Sequence, residues 1–208
     1  PHHTSKKQIV SQQYLKRQTG LKRCIYISTT GVYGDCQGEW VDETRPLAAQ
    51  SARAIRRVDA EQQIRAWSTR TQINSSILRV PGIYAANRLP LSRFNGQTPL
   101  IHHSEVIIGN HIYADDLVAA IVALVWHNMP NRTYQVCDAS PIAIGEYYDC
   151  IADHLGLSRL PRLARDAAQA AHSPSLWSYM TESRRLTHQR LRSETRWRCR
   201  YPSIQLAI

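Results

Sequence analysis

The chain lacks any apolar run close to the roughly 20 residues that a membrane-spanning helix needs. Its longest apolar stretch, residues 117–126, follows two aspartates and indicates a buried helix. The first residues, PHHTSKK, contain no apolar core typical of a secretory signal. With 208 residues, 43% of them hydrophobic, the sequence predicts one globular domain, or one domain and a small lobe. We expect no membrane partner and a cytoplasmic location.

Paired cysteines are also lacking. No C-x-x-C motif occurs, and the five cysteines are scattered along the chain at Cys24, Cys36, Cys137, Cys150 and Cys199. An odd, unpaired set argues against a disulfide framework and against a zinc site. The sequence therefore predicts reduced thiols and no bound metal.

Acidic residues are too few to balance the basic ones. The 26 lysines and arginines against 16 aspartates and glutamates give a net charge of +10. This excess predicts an anionic partner. A nucleic acid is disfavoured because no aromatic stacking pattern accompanies the charge. A phosphate-bearing ligand is favoured, and a generally arginine-rich composition is the alternative.

The hydrophobic pattern of the first 80 residues alternates between helix and strand. Helical spacing covers residues 8–18 and 51–67, with Ala60, Ile64 and Trp67 on one stripe. Short apolar runs at residues 23–28 and 73–80 are typical of strands that are buried on both faces.

The alternation continues beyond residue 100. We predict strands at residues 106–108 and 134–137 and a helix over residues 145–154 that ends at Gly156. Asp115 or Asp116 is expected to cap a further helix that ends at Trp126. This order of elements predicts an α/β fold with a parallel sheet and helices on both faces.

A cluster of hydroxyl side chains follows the first buried strand. Ser28, Thr29 and Thr30 come directly before Gly31 and lie, in a parallel sheet, at the carboxyl edge where ligands of open α/β folds bind. The alternative is a Ser/Thr turn in which these hydroxyls satisfy their own backbone. The local pattern leaves both interpretations open.

Motifs in a fixed order carry a family resemblance over nearly the whole chain. Residues 26–35 (YISTTGVYGD) resemble the "SSxxVYG" strand end of extended short-chain dehydrogenases/reductases. Further segments resemble later motifs of the same proteins, namely WVDETRP at 40–46, LRVPGIY at 78–84, IYADDL at 112–117 and YQVCD at 134–138. Residues 183–202 resemble the tail of one atypical subgroup. The chain is thus similar to the NAD-dependent epimerase/dehydratase family.

That resemblance implies a Rossmann-like doubly wound parallel sheet with a small C-terminal substrate lobe. It implies a cofactor, NAD or NADP, and an unknown, nucleotide-sugar-like substrate. Thr29 matches the hydroxyl that touches the reacting group of the substrate, with Thr30 beside it for the substrate. Ser28 matches a cofactor contact, as do Pro81 and Gly82 beside the nicotinamide. His111 is a further candidate for substrate binding, and a surface loop histidine is the alternative.

One departure from the family is the missing glycine-rich phosphate loop. No GxGxxG motif is present, and by the resemblance the chain starts after the fourth strand, so we expect an N-terminal truncation. Residues 1–130 would then form the rest of the dinucleotide-binding domain, and residues 131–208 would complete the sheet and the substrate lobe. The strand at residues 23–28 would be an unpaired hydrophobic edge.

The second departure is the missing Tyr-x-x-x-Lys pair. Counting back from Glu61 places Arg57 at the lysine and Arg53 at the tyrosine. Both lie on one helix face, but a guanidinium cannot accept a proton near neutrality. Arg57 could still hold a ribose or phosphate, and Arg53 an anionic substrate; a solvent-facing basic stretch is the alternative. Tyr33 is the nearby phenol that could replace the family's acid/base.

Two functions remain at this point. The first is an NAD(P)-dependent epimerase/dehydratase-like oxidoreductase with Thr29 and Tyr33 as catalytic residues. The alternative is a non-catalytic NAD(P)-binding sensor or scaffold of the same fold. The expected partner is a small-molecule substrate, and a homo-oligomer is left open.

Overall fold

The computed structural model describes residues 20–126 and 129–208. The strands are β1 (Arg23–Thr29), β2 (Trp40–Val41), β3 (Asn74–Val80), β4 (Gly82–Tyr84), β5 (Leu100–Ile101), β6 (Ile108–Gly109), β7 (His111–Tyr113), β8 (Arg132–Gln135), β9 (Ile142–Ala143), β10 (Arg162–Leu163) and β11 (Arg185–Leu186). The helices are α1 (Ala52–Thr71), α2 (Leu91–Asn95), α3 (Ala114–Trp126), α4 (Ile144–Leu155), α5 (Arg165–Ala171), α6 (Pro174–Thr181) and α7 (Gln189–Glu194). The predicted helix over residues 8–18 lies outside the described residues.

A parallel sheet with the order β1-β3-β8 organises the fold. Its register pairs Thr29 with Val80 and Arg79 with Gln135, so the carboxyl ends of the three strands meet at one edge. The central strand β3 is buried from Ser75 onward. The predicted parallel sheet is therefore confirmed, and the ligand-binding edge of such a sheet lies at Thr29.

The first strand is less buried than its apolar sequence predicted. Along β1 only Ser28 is buried, and Ile27 keeps 42% of its surface exposed. The prediction of burial on both faces was wrong, because among the described residues β1 pairs with β3 alone. Because β1 is an edge strand in the described part of the chain, no second neighbouring strand packs its side chains beside those of β1, and apolar side chains such as Ile27 stay partly exposed.

Helix α1 joins β2 to the central strand β3. It begins after Ser51, whose hydroxyl accepts a hydrogen bond from the Ala54 amide at 3.2 Å, the usual role of a serine N-cap. It buries Ala60 and Trp67, as the predicted stripe required, and ends at Thr71 before Gln72 in the left-handed region. The helix extends past the predicted end at Trp67, and the apolar pattern missed its last turn because residues 68–71 are polar.

Helix α3 packs beneath the sheet in an apolar cluster. Leu78, Ile112, Leu124, Tyr134 and Trp197 are all buried there. This cluster joins the C-terminal segment to the sheet, which accounts for the burial of the tryptophan.

The aspartates at the start of α3 were wrongly predicted to be caps. Both lie within the first turn of the helix. The Asp116 carboxylate instead accepts hydrogen bonds from the backbone amides of Arg200 and Tyr201, the second at 2.8 Å. A side chain in the first turn can therefore hold a distant segment rather than cap its own helix.

A second cluster forms the C-terminal lobe. Helix α4 contributes Tyr147, Tyr148 and Ile151, which pack with Tyr84 and Met180. The predicted end at Gly156 is confirmed, with a left-handed φ of 64° after Leu155. Short strand pairs, β4·β7 and β5·β10 in parallel and β6·β9 antiparallel, brace this lobe. In the described part of the chain, no helix has the length and apolarity needed to cross a membrane.

Candidate functional site

A cavity of about 310 Å³ opens at the carboxyl ends of β1 and β3; we call it the strand-end pocket. Six residues that the sequence singled out line it together: Thr29, Thr30, Arg53, Arg57, Pro81 and Gly82. They come from the end of β1, the start of α1 and the turn after β3. The parallel register brings these segments to one edge, as open α/β sheets do for their ligands.

Thr29, the last residue of β1, lines the strand-end pocket. Its Oγ1 accepts a hydrogen bond from the Gly31 amide at 3.3 Å and caps the short 3-10 helix Thr30–Tyr33. The local turn expected as the alternative is therefore present. The Thr29 hydroxyl retains its own proton for donation, so capping does not prevent contact with a ligand.

Ser28 does not line the pocket; it supports the pocket from behind. Its hydroxyl donates a 2.6 Å hydrogen bond to Oε1 of Glu61, and both residues are buried. The Arg79 guanidinium donates two hydrogen bonds to the Glu61 carboxylate, from Nη2 to Oε2 at 2.8 Å and from Nε to Oε1 at 3.2 Å. The buried network joins β1, α1 and β3 and fixes the strand ends relative to each other.

Tyr33 belongs to the same buried network. Its hydroxyl accepts hydrogen bonds from Arg79 at 2.8 Å and Gln135 at 2.9 Å, and its side chain is almost fully buried. Burial raises the pKa of Tyr33, an effect that the charge of Arg79 opposes. Tyr33 is not among the residues that line the strand-end pocket, so this geometry does not favour it as the replacement acid/base.

Arg53 and Arg57 share one face of α1, as their spacing predicted. Both are exposed and line the pocket. Arg57 uses Nη1 to donate to the Tyr26 hydroxyl at 2.9 Å and to the Ile27 carbonyl at 3.3 Å. A guanidinium has five N–H donors, so Arg57 keeps capacity for a ribose or phosphate while β1 holds it in place.

His111 lies behind the pocket and not on the surface. It is 2% exposed, and its ring stacks on Tyr147 with a centroid separation of 3.7 Å. Neither ring nitrogen has a hydrogen-bond partner among the described residues, and burial lowers the pKa of His111 to about 3. Its Cδ2 atom would lie 3.0 Å from a Cβ added to Gly82, a pocket residue. The surface-loop alternative for His111 is thus excluded.

A third wall of the pocket was not predicted from the sequence. Tyr179, Glu182 and Arg184 line the pocket from the end of α6 and the segment that follows. Their positions depend on long-range packing, since Arg184 and its hydrogen-bond acceptor, the Gly34 carbonyl, are 150 residues apart. No local motif marks such residues; the basic C-terminal stretch was the only available signal.

Polar contacts secure this third wall. Arg184 pairs with Glu182 at 2.9 Å, and both side chains are buried. The Asn110 side chain donates to the Arg184 carbonyl at 2.9 Å and accepts from the Leu186 amide at 2.9 Å. The parallel pair β2·β11 adds backbone hydrogen bonds beside it. The wall is therefore a fixed part of the pocket.

A larger cleft of about 950 Å³ continues from the pocket. Arg53, Ile108 and Glu182 border both spaces. Four guanidiniums line the cleft, from Arg53, Arg56, Arg165 and Arg185, and Trp177 lies beside them. Such a surface attracts anionic groups, because arginine matches phosphate and carboxylate geometry. Among the described residues, no group of His, Cys, Asp or Glu side chains could hold a metal ion.

The fold and this pocket define a dinucleotide-fold α/β protein, and comparison with known proteins supplies the family. Residues 12–137 match the NAD dependent epimerase/dehydratase family. The chain belongs to that family. The resemblance read from its motifs is thereby confirmed.

Three known proteins illustrate what the chain is similar to. It is 29% identical to Protein YeeZ of Escherichia coli (strain K12) over 140 residues, which is 66% of this chain and 47% of YeeZ. A functionally unknown conserved protein from Silicibacter pomeroyi DSS superposes with a TM-score of 0.82 at 30% identity, covering 96% of this chain and 69% of that one. The dTDP-glucose 4,6-dehydratase of Bacillus anthracis in complex with NAD shares the fold alone, with 15% identity and a TM-score of 0.75 over 96% of this chain and 63% of that one. The chain spans about half the length of the curated relative that it matches.

Proposed function

We propose that this chain forms the strand-end pocket of an NAD(P)-dependent oxidoreductase, epimerase or dehydratase that acts on a nucleotide-sugar-like substrate. The observation that carries the proposal is the convergence of Thr29, Arg57 and Gly82 on one pocket at the carboxyl edge of a parallel sheet. Family membership supports the nicotinamide cofactor. The dehydratase of similar fold, solved with NAD, supports a sugar nucleotide as the substrate class.

The pocket residues fit a nicotinamide dinucleotide. A cavity of about 310 Å³ has room for a ring-sized group, since one water takes roughly 30 Å³ of liquid. Gly82 places bare backbone on one wall, and the Thr29 hydroxyl stands on another. Arg57 would hold the ribose or phosphate, and Ser28 would act through Glu61 instead of touching the cofactor. When bound, the nicotinamide supplies hydride chemistry.

The arginine-lined cleft fits the rest of the substrate. Arg53 stands where the pocket and the cleft join, so its guanidinium can clamp a diphosphate while the sugar enters the pocket. The net charge of +10 favours the same anionic class. In this proposal residues 1–130 belong to the dinucleotide-binding domain, and residues 131–208 complete the sheet and the substrate lobe.

Cofactor and substrate binding can be separated by two variants of the complete protein. We expect Arg57→Ala to weaken NADH or NADPH binding in a fluorescence titration and Arg53→Ala to weaken dTDP-glucose or UDP-glucose binding in calorimetry. Arg159→Ala is the control, because Arg159 is exposed and pairs with Asp153 outside both cavities. Transfer of deuterium between 4-deuterated cofactor and a sugar nucleotide would establish the oxidoreductase. Equal losses in all three variants would contradict the site assignment.

A non-catalytic NAD(P)-binding sensor or scaffold is the second candidate. The specific observation that favours it is the pair of guanidiniums at the family's tyrosine and lysine positions, neither of which can exchange a proton near neutrality. Saturable cofactor binding without any deuterium exchange across a panel of sugar nucleotides would select this candidate.

A further inference from the structure

Helix α6 carries Tyr179, whose phenol lines the strand-end pocket. The helix starts after Ser173, whose hydroxyl oxygen accepts a hydrogen bond from the Leu176 amide, and Pro174 lies in its first turn. Two turns later the Tyr179 side chain lines the pocket. Its hydroxyl would lie 3.2 Å from a Cβ added to Gly82, so it stands against the bare backbone at the start of β4. No hydrogen bond to this hydroxyl is found within residues 20–126 and 129–208.

The phenol shares its pocket with the strand-end hydroxyls. Thr29 and Thr30 line the same 310 Å³ space as Tyr179. The phenol from α6 and the threonine hydroxyls from the end of β1 therefore border one space. The family's own tyrosine position, occupied here by Arg53, borders the same pocket.

Three guanidiniums surround Tyr179. Arg53 and Arg184 line the pocket beside it, and the guanidinium of Arg93 stands 5.9 Å from the centre of its ring. Burial raises the pKa of Tyr179, while the charges of Arg93, Arg184 and Arg53 oppose this effect. The phenol therefore carries its proton at neutral pH, and the guanidiniums stabilise the phenolate that forms if the proton leaves.

Other titratable groups near the pocket are already engaged. Glu182 is ion-paired with Arg184 and accepts the Ser178 hydroxyl at 3.2 Å. Tyr33 is held outside the pocket by Arg79 and Gln135. His111, a further neighbour, lies behind the glycine backbone and is neutral at physiological pH, because burial lowers its pKa to about 3.

We propose that Tyr179 is the proton donor of this pocket, in place of the absent helix tyrosine. As a substrate carbonyl carbon accepts hydride from a dihydronicotinamide dinucleotide, the Tyr179 O–H bond breaks and its proton bonds to the carbonyl oxygen. The products are an alcohol, the oxidised nicotinamide and a phenolate, which water reprotonates. The inference rests on the proposed oxidoreductase function and adds the residue that moves the proton.

The test compares two phenols that lie beside the same arginine. Arg93 also stands over the ring of Tyr148, at 5.6 Å, but Tyr148 is buried in the lobe and does not line the pocket. In the complete protein with NADPH or NADH and dTDP-4-keto-6-deoxyglucose as the probe, Tyr179→Phe should lower kcat by about 10²–10⁴-fold, the usual contribution of a positioned acid. Cofactor affinity should stay within about twofold. Tyr148→Phe should leave kcat within about threefold.

A readout other than turnover checks the contact itself. With ¹³Cζ-labelled tyrosine, the NMR signal that disappears in Tyr179→Phe should shift when oxidised cofactor and dTDP-glucose are added to the wild-type protein. The signal of Tyr148 should not shift. An unmoved Tyr179 signal would place the bound ligand away from this phenol.

The outcomes separate the two proposals. If Tyr179→Phe retains the turnover of the wild-type protein, the proposal that Tyr179 is the proton donor is wrong. The same holds if the ligand binds and the Tyr179 signal does not shift. Either result leaves the proposed oxidoreductase function intact. No cofactor binding by the wild-type protein overturns the proposed function and the donor with it. Loss of kcat in Tyr179→Phe alone, with a shifted Tyr179 signal, supports both.

Discussion

Arg79 and Glu61 form a bidentate ion pair in which both side chains are at least 96% buried. Arg79 lies on β3 and Glu61 on α1, and the pair also holds the Ser28 hydroxyl of β1. A buried pair of this kind is costly to break, because the surviving partner is left as an uncompensated charge. The pair therefore fixes the geometry of the strand ends that carry Thr29.

Removing the carboxylate should destabilise the fold. We expect Glu61→Ala to lower the free energy of unfolding by about 3–5 kcal/mol, the usual cost of leaving one buried charge unpaired. Urea denaturation of the 208-residue chain measures this loss. Glu39→Ala is the control, since Glu39 pairs with Arg45 at an exposed site and its loss should fall within experimental error. Equal effects of the two changes would contradict the structural role of Glu61.

Tyr33 should matter for stability and not for proton transfer. In Tyr33→Phe, Arg79 and Gln135 both lose their acceptor, which should cost about 1–3 kcal/mol in urea denaturation. The pH profile of turnover in the complete protein should keep its shape. A lost ionisation limb in that profile, without a loss of stability, would return Tyr33 to the role of the acid/base.

His111 should make stability depend on pH in the acidic range. Its pKa falls from 6.5 to about 3 on folding, so the unfolded chain binds one more proton between those values, and stability is lost as pH falls below about 6.5. The contribution to the slope is about 1.4 kcal/mol per pH unit. In His111→Gln this part of the slope should vanish between pH 6 and 4. His103→Gln, at an exposed position, should retain it; the same slope in both variants would show that another group is responsible.

Two glycines with similar positive φ values should respond differently to alanine. Gly34 has φ 68°, and a Cβ there would collide with the Ala48 carbonyl oxygen; Gly156 has φ 64° and open space around it. Gly156→Ala should cost about 1–2 kcal/mol from backbone strain alone. Gly34→Ala should cost clearly more in the same urea denaturation, because the turn after Tyr33 must move. Equal costs would mean that the loop at Ala48 yields freely.

The sequence predicted the parts of the fold that local pattern controls. The strands predicted at residues 23–28 and 73–80 are β1 and β3 within a residue or two, although only β3 is buried, and the helix predicted over 51–67 is α1, which extends to Thr71. The hydroxyls at the end of β1 lie at the edge of the sheet where the strand-end pocket opens. Pairing of two-residue strands such as β2 and β11 leaves no periodic signal, so the C-terminal wall could not be predicted.

The direction in which a side chain points could not be predicted from the sequence either. Tyr33 is close in sequence to Thr29, but the 3-10 turn directs its phenol into the core. Tyr179 is distant in sequence and lines the pocket through helix packing. Sequence proximity therefore pointed to Tyr33, whereas the tertiary fold brings the phenol of Tyr179 to the pocket.

Fluorescence titration of the complete protein with NADPH and NADH decides whether the strand-end pocket holds a nicotinamide dinucleotide. We expect saturable binding of at least one cofactor. In Gly82→Val, whose side chain would crowd the pocket against His111 and Tyr179, that affinity should fall at least tenfold, about 1.4 kcal/mol. Gly96→Val, at an exposed helix end outside the pocket, should bind like the wild type. Absence of binding by the wild-type protein, or equal binding by Gly82→Val, would contradict the assignment of the strand-end pocket to a nicotinamide dinucleotide.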